Sequence, residues 1–258
     1  MIPHLSIIIP ARNDALALQR TLDHLETLPG IGGAEVIVAA AGDAAGTARA
    51  VGGRARLLWP PDSTRAALMN AGAAAARGEV LFFLHADSFP PAQALGLIRA
   101  ALADPRVAGG AFEHLFAEPA PILRLITGIN RIRYRLTRNY YGDQGIFVRA
   151  AVFRRMGGYK ALGVLEDLEF TRRLKRRGRS VLIRVPLRTS GRRFVARGPV
   201  RTFLFIAWLV TLHTLGVDTE RYADRYRGPS DLPPGAAPRE GARRHGVPAL
   251  AAVRETVR

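Results

Sequence analysis

The feature that most constrains this chain is an alternation. Over the first hundred residues, short apolar runs of strand length take turns with longer Ala- and Leu-rich segments of helical spacing. LSIII (5–9) precedes DALALQRTLDHLETL (14–28), and EVIVA (35–39) precedes DAAGTARAV (43–51). ARLLW (55–59) precedes DSTRAALMNAGAAAA (62–76), and EVLFFL (79–84) precedes AQALGLIRAAL (92–102). Strands that alternate with helices pair in parallel and are covered on both faces, so the pattern predicts an α/β fold. Asp14, Asp43 and Asp62 stand where helix N-caps belong.

Such sheets bind ligands at the carboxyl ends of their strands. This gives a meaning to GEVLFFLHADSFPP (78–91), in which a buried run ends in His85, Ala86 and Asp87. Pro90 and Pro91 are expected to stop the strand and fix the turn. A carboxylate at the rim of a sheet is a rigidly held oxygen donor, suited to a hard cation.

The pattern changes after residue 105. VAGGAFEHLF (107–116) reads as a strand with a Gly-Gly bend, and PILRLITGINRIRYRLTR (121–138) as a helix with Arg124, Arg131, Arg135 and Arg138 crowding one side. YYGDQGIFVRAAVFRRMGGY (140–159) reads as a tight loop, a strand and a short helix. LEDLEFTRRLKRRG (165–178) starts acidic and ends basic, which suits a helix dipole, with Gly178 as its cap. SVLIRVP (180–186) reads as another strand, and the Pro-, Gly- and Arg-rich tail from Gly228 is expected to be disordered.

Charge narrows the partners. Lys and Arg number 38 against 21 Asp and Glu, a net charge of +17. From Phe170 to Val217 there are twelve Lys or Arg residues and no Asp or Glu. The guanidinium fork suits phosphate, so a nucleotide diphosphate, an anionic membrane and nucleic acid are the candidate partners. The opening MIPHLSIIIP has neither the basic region nor the apolar length of a signal peptide. The longest apolar run, TFLFIAWLVTLHTLGV (202–217), is shorter than the ~20 residues that span a bilayer. It reads either as a buried core helix or as a helix lying in a membrane interface, the latter supported by the basic stretch upstream. The chain has no cysteine, so disulfides and thiolate metal sites are excluded, which fits a reducing compartment.

Four of these segments, in order, resemble the family 2 glycosyltransferases of the GT-A nucleotide-sugar fold, over about residues 5–200. SIIIPARND (6–14) is similar to that family's opening strand and loop, and FFLHADSFPP (82–91) to its metal-binding aspartate motif. GDQGIFVRAAVFRRMGGY (142–159) and LEDLEFTRRLKRRG are similar to its acceptor-side segments. RAALMNAGAAAARGEVLFFLHADS (65–88) resembles a bacterial subgroup, the selenodomain-associated transferases.

The resemblance implies one GT-A catalytic domain over 1–228, with a nucleotide-binding half at 1–105, an acceptor half at 106–200 and the apolar helix at 201–217, followed by the tail. It implies an enzyme that moves a sugar from a nucleotide-diphosphate donor to an acceptor hydroxyl, with inversion, using Mn or Mg. Asp87 is then the metal ligand, with His85 where the family often has an acid. Adjacent carboxylates at a helix start point in different directions, and the family favours the second of this pair, Asp167, as base. Asp143, Gln144 and Glu166 fall on the acceptor and sugar side. Pro10, Arg12, Asn13, Asp14, Asp43, Arg65, Ala86 and Arg193 fall on the donor side, with Arg193-Phe194 standing for the family's Arg-Trp. The chain departs from the pattern at Ala40 and Ala45, where the family carries acids that hold the nucleoside base; only Asp43 remains nearby.

Each assignment has a structural alternative: a turn cap for Asp87, a hydrogen-bonded core residue for His85, dipole complementation for Glu166 and Asp167, turn chemistry for Asp143 and Gln144, solvated surface for Arg193. Other functional readings are a degenerate, inactive transferase and a basic module that binds RNA or anionic lipid. The latter lacks any RNA-recognition motif. A nucleotidyltransferase would need a glycine-rich basic loop after the first strand, which PARND is not. The expectation is therefore a cytoplasmic enzyme, peripheral to an anionic membrane, with a lipid-linked or membrane-near acceptor and no nucleic acid partner.

Overall fold

The computed structural model describes residues 5–227; the tail from Gly228 lies outside the described residues. The first half runs β1 (Leu5–Arg12), α1 (Ala15–Glu26), β2 (Ala34–Ala41), α2 (Ala44–Val51), β3 (Arg56–Leu58), α3 (Arg65–Ala75), β4 (Val80–Phe83), β5 (Ser88–Phe89) and α4 (Ala94–Leu102). The second half runs β6 (Val107–Phe116), α5 (Pro121–Thr137), β7 (Ile146–Arg149), α6 (Ala150–Arg155), α7 (Glu166–Leu174), β8 (Arg179–Thr189), α8 (Arg192–Arg197), α9 (Pro199–Thr214) and α10 (Ala223–Arg227).

The eight strands form one sheet in the order β3-β2-β1-β4-β7-β6-β8-β5. β3, β2, β1 and β4 are mutually parallel, as the alternation predicts. β7 then runs antiparallel to both β4 and β6, β6 and β8 are parallel, and β5 is antiparallel to β8. The sheet is therefore more mixed than expected. β7 follows β6 by way of α5 and a tight loop and enters between β4 and β6 from the opposite direction, which no local pattern encodes.

Both faces are buried. Ile7 and Ile9 pack with Leu18, Leu22 and Leu25 of α1 and Leu95 and Ile98 of α4. Ile8 points the other way and packs with Met69 and Ala73 of α3, Phe153 of α6 and Phe170 of α7. This period of two with no polar side is why β1 and β4 read as continuous apolar runs.

Local details differ from the expected ones. Asp43 caps α2, its carboxylate accepting from Gly46 N at 2.9 Å. Asp14 precedes α1 without capping it. α3 is capped by Thr64, and Asp62 accepts from Thr64 N at 2.8 Å. β4 ends at Phe83, well before the prolines, because Ser88 and Phe89 leave to pair with Thr189 and Arg188 of β8. α7 ends at Leu174, ahead of Gly178. In α9 only Leu209 is buried, so the core-helix reading is set aside.

The Gly-Gly pair of β6 answers to close approach. A Cβ on Gly110 would lie 2.2 Å from Val181 O, and one on Gly109 2.4 Å from Phe147 O. Gly96, on α4, faces open space. Gly110→Ala is expected to destabilise the protein by about 1–3 kcal/mol, whereas Gly96→Ala stabilises it by roughly 0.5–1 kcal/mol. Urea denaturation of the two variants checks both signs.

Candidate active site

The order of strands reverses at β1: β2 and β3 lie on one side and β4 on the other. A crevice opens outside the carboxyl ends of two such strands. Here Pro10, Arg12 and Asp14 at the end of β1 and His85, Ala86 and Asp87 after β4 line a cleft of about 430 Å³. Arg65, Asp143, Asp167 and Arg193 line the same cleft. Ten of the residues singled out in the sequence thus meet in one place.

Asp87 is held by its backbone. Its carbonyl accepts from Ser190 N at 3.1 Å, and the Ser88 and Thr189 hydroxyls meet at 2.9 Å across the β5–β8 pair. The preceding turn is tied to α1, where the Thr21 hydroxyl donates to Ala86 O at 2.8 Å. Burial raises the Asp87 carboxyl above its ordinary range, against the lowering influence of Arg193. Arg192 pairs with Asp14 and reaches Asp87 at 3.6 Å, so a guanidinium bridges the carboxylates after β1 and β4.

Opposite stands the start of α7. Leu165 precedes it in the left-handed region, φ 59°, and behind it Glu166 and Asp167 are both buried. Arg65, the first residue of α3, pairs with Glu166 and lies 4.0 Å from Asp167. Asp167 accepts from Gly142 N at 2.6 Å and from Leu168 N at 2.7 Å. Burial, and then the Glu166 carboxylate beside it, pushes the Asp167 carboxyl up to about 6, with Arg65 opposing. Such a carboxyl is ionised at neutral pH yet basic enough to accept a proton.

His85 is kept neutral, well below the ordinary imidazole range, by burial and by Arg65 and Arg193. Its Nε2 lies 3.5 Å from Arg65 Nη1. A Cβ on Gly142 would fall 2.3 Å from that nitrogen, so only glycine lets the loop approach so closely. Asp143 follows, 3.6 Å from the buried His114, whose ring stands edge-on to Phe116.

Four expected residues are not among those lining the cleft. Asn13, at φ 50°, accepts from Asp43 N at 2.9 Å and ties the loop after β1 to that after β2. Asp43 is occupied as a cap. Gln144 is buried and bonds Phe112 O and Tyr141 N at 3.0 Å each. Glu166 is the partner of Arg65. Ala40 is buried in the sheet and Ala45 is exposed on α2. The sequence reading missed Arg192, His114, Tyr141 and Arg133, whose guanidinium lies 3.9 Å from the Tyr141 ring centroid. Tyr141 immediately precedes the GDQG loop, which was the available signal; nothing local points to Arg133 or His114.

No cluster of three or more His, Cys, Asp or Glu side chains that could cage an ion occurs among the described residues. A divalent cation that binds with a substrate can be held by one or two carboxylates and complete its shell with substrate phosphates and water. Asp87 fits that role. His85 offers a neutral ring, but Arg65 lies against its Nε2.

The fold is the GT-A fold of solved glycosyltransferases. Residues 6–162 match glycosyl transferase family 2, and the chain belongs to that family, an enzyme of the transferase class. Among solved structures it resembles a mannosyltransferase from Pyrobaculum calidifontis in complex with GDP-Man and Mn2+, at 20% identity and TM-score 0.59, covering 74% of this chain and 57% of that one. It also resembles glucosyl-3-phosphoglycerate synthase from Mycobacterium tuberculosis, in complex with Mn2+, UDP and glucosyl-3-phosphoglycerate, at 14% identity and TM-score 0.57, covering 84% and 81%. TarS from S. aureus in complex with UDP-GlcNAc is similar at 16% identity and TM-score 0.57, covering 72% and 58%. The chain thus spans little more than half the length of two of these three. No curated protein matches it.

Arg65→Met strands Glu166 as an unpaired buried carboxylate and is expected to cost on the order of 3 kcal/mol. Adding Glu166→Gln to that variant recovers much of the loss, because a neutral amide replaces the stranded charge. Chemical denaturation of the single and double variants reads this directly.

Proposed function

We propose that the protein transfers a sugar from a nucleoside-diphosphate donor to the hydroxyl of a lipid-linked or membrane-near acceptor, with inversion at the anomeric carbon. The observation that carries this reading is the pairing in one cleft of a rim carboxylate, Asp87, with a buried carboxylate, Asp167, pushed up to about 6.

Asp87 would hold the divalent cation, Mn or Mg. When bound, that ion neutralises charge on the leaving diphosphate. Arg193 and Arg12, both in the cleft, supply further positive charge to the diphosphate. Asp167 takes the proton from the acceptor hydroxyl as it attacks the anomeric carbon. Gly142 N and Arg65 hold the carboxylate in place for this. Asp167 acting as the single base fits one inverting displacement, in which the acceptor oxygen bonds to the anomeric carbon as the bond to the diphosphate breaks. Asp143, with His114 behind it, stands where it can accept hydrogen bonds from sugar hydroxyls.

The far wall of the cleft is apolar, built from Phe116, Ile129, Phe194, Phe203, Ile206 and Val210. A wall of this kind suits an acceptor that carries hydrocarbon and excludes the water that would compete as acceptor. The stretch from Arg65 to Ser88 supports the finer kinship with the selenodomain-associated transferases. With Ala40 buried and Asp43 used as a cap, the nucleoside base would rest on backbone groups around Ala11 to Asp14.

Donor hydrolysis and transfer, measured over a panel of nucleotide sugars, test the proposal. Asp167→Asn is expected to lower kcat by about 10²–10⁴-fold, and Asp87→Ala to abolish dependence on added Mn or Mg. Because the base must be ionised, activity should fall as pH drops through about 6. Variants as active as wild type, or an acidic limb unchanged by Asp167→Asn, contradict the assignment.

A further inference from the structure

The exposed apolar side chains of this protein are not scattered. Of the eleven large ones among the described residues, nine lie on α5, α8 and α9 or on Leu215, which closes α9. On α5, Leu125, Ile129, Ile132 and Leu136 recur at helical spacing along one stripe, and Leu136 is 80% exposed. The opposite face of α5, with Leu123, Ile126 and Tyr134, is buried, and Arg131 and Arg135 tie the helix to the buried Glu113. The stripe is therefore held outward. On α9, Val200, Leu204 and Trp208 form a second stripe at spacings of four, while Leu209 is buried and Phe203, Phe205 and Val210 pack against buried clusters.

The three helices form one surface. Phe194 of α8 and Phe203 of α9 pack against the cluster that holds Leu123 and Ile126 of α5. The cleft opens among them, since Ile129, Phe194 and Ile206 line it. None of the three helices contains an Asp or Glu, and Arg124, Arg138 and Arg201 are exposed along their edges.

We infer that α5, α8 and α9 together form a docking face for an anionic phospholipid bilayer. Apolar stripes enter the boundary between headgroups and acyl chains, and the arginines meet lipid phosphates. No helix among the described residues is long and apolar enough to cross a membrane, so the protein would lie on the surface. Charge selects this occupant over a second copy of the chain, because two such faces would bring like charges together. The stripes, aliphatic but for Trp208, select it over RNA, which would need a row of stacking aromatics. The inference deepens the proposed reaction, in that it puts the mouth of the cleft against the membrane that would hold the acceptor.

The chain has two tryptophans, Trp59 and Trp208, so a Trp59→Phe protein reports from α9 alone. With vesicles of phosphatidylglycerol and phosphatidylcholine, its emission should shift to the blue, be quenched by brominated acyl chains, and the protein should co-sediment. With phosphatidylcholine alone, binding should weaken by about tenfold or more, as the loss of a few arginine–lipid attractions predicts. The double variant Ile132→Glu, Leu136→Glu should lose at least about tenfold in vesicle binding, while its melting curve and its donor hydrolysis without vesicles stay at wild-type levels. A Trp208 emission unmoved by anionic vesicles overturns the inference. So does a double variant that binds as tightly as wild type, or a protein that dimerises or binds RNA but not vesicles. If vesicles bind as expected and donor hydrolysis is absent, the docking face stands and the proposed reaction falls.

Discussion

Two carboxylates side by side in a protein interior repel each other and lose hydration, and the site of this protein depends on how that is resolved. Glu166 and Asp167 are buried at the start of α7, and Arg65 reaches them from the first residue of α3. One guanidinium serves both. It pairs with Glu166 and stands 4.0 Å from Asp167, whose carboxyl is raised to about 6 by burial and then by the Glu166 carboxylate, with Arg65 opposing. The same contact ties α3, in the first half of the chain, to α7, in the second, so the geometry of the cleft and the basicity of Asp167 are linked.

The opposite rim obeys a related rule. Asp14 and Asp87 follow adjacent parallel strands, and their negative charge is met by Arg192 from α8. α8 is in turn pinned by Glu118, which accepts from Ser190 Oγ and Gly191 N. The basic stretch that dominates the sequence after Phe170 is thus not simply solvated surface. Part of it, Arg173 with Glu169 and Arg192 with Asp14, is structural, and part of it borders the cleft.

The first half of the fold was legible because its information is local. Alternating runs gave β1 to β4 and their helices, and the strand-end position of Asp87 pointed to the rim. The second half was not, because the antiparallel insertion of β7 and the departure of Ser88 and Phe89 to β8 are long-range pairings. Among the residues that line the cleft, Asp87, Asp167, Arg65 and Arg193 carried signals of motif and element position. Asn13, Asp43 and Gln144 carried the same signals, yet the backbone uses their polar atoms. Composition cannot tell a side chain that serves a loop from one that faces a ligand. The exposure of α9 was equally hidden, since an apolar run reads alike whether it is buried or laid on a surface.

The titration of the Asp carboxyls, followed by carbon-13 NMR with labelled aspartate, bears most directly on the claim that a buried, partly compensated carboxylate is the base. One resonance should titrate at about 6, vanish in Asp167→Asn and move to higher pH in Arg65→Met. If the resonance that vanishes in Asp167→Asn instead titrates in the ordinary range near ~4, Asp167 is an unperturbed carboxylate and the site does not work as described.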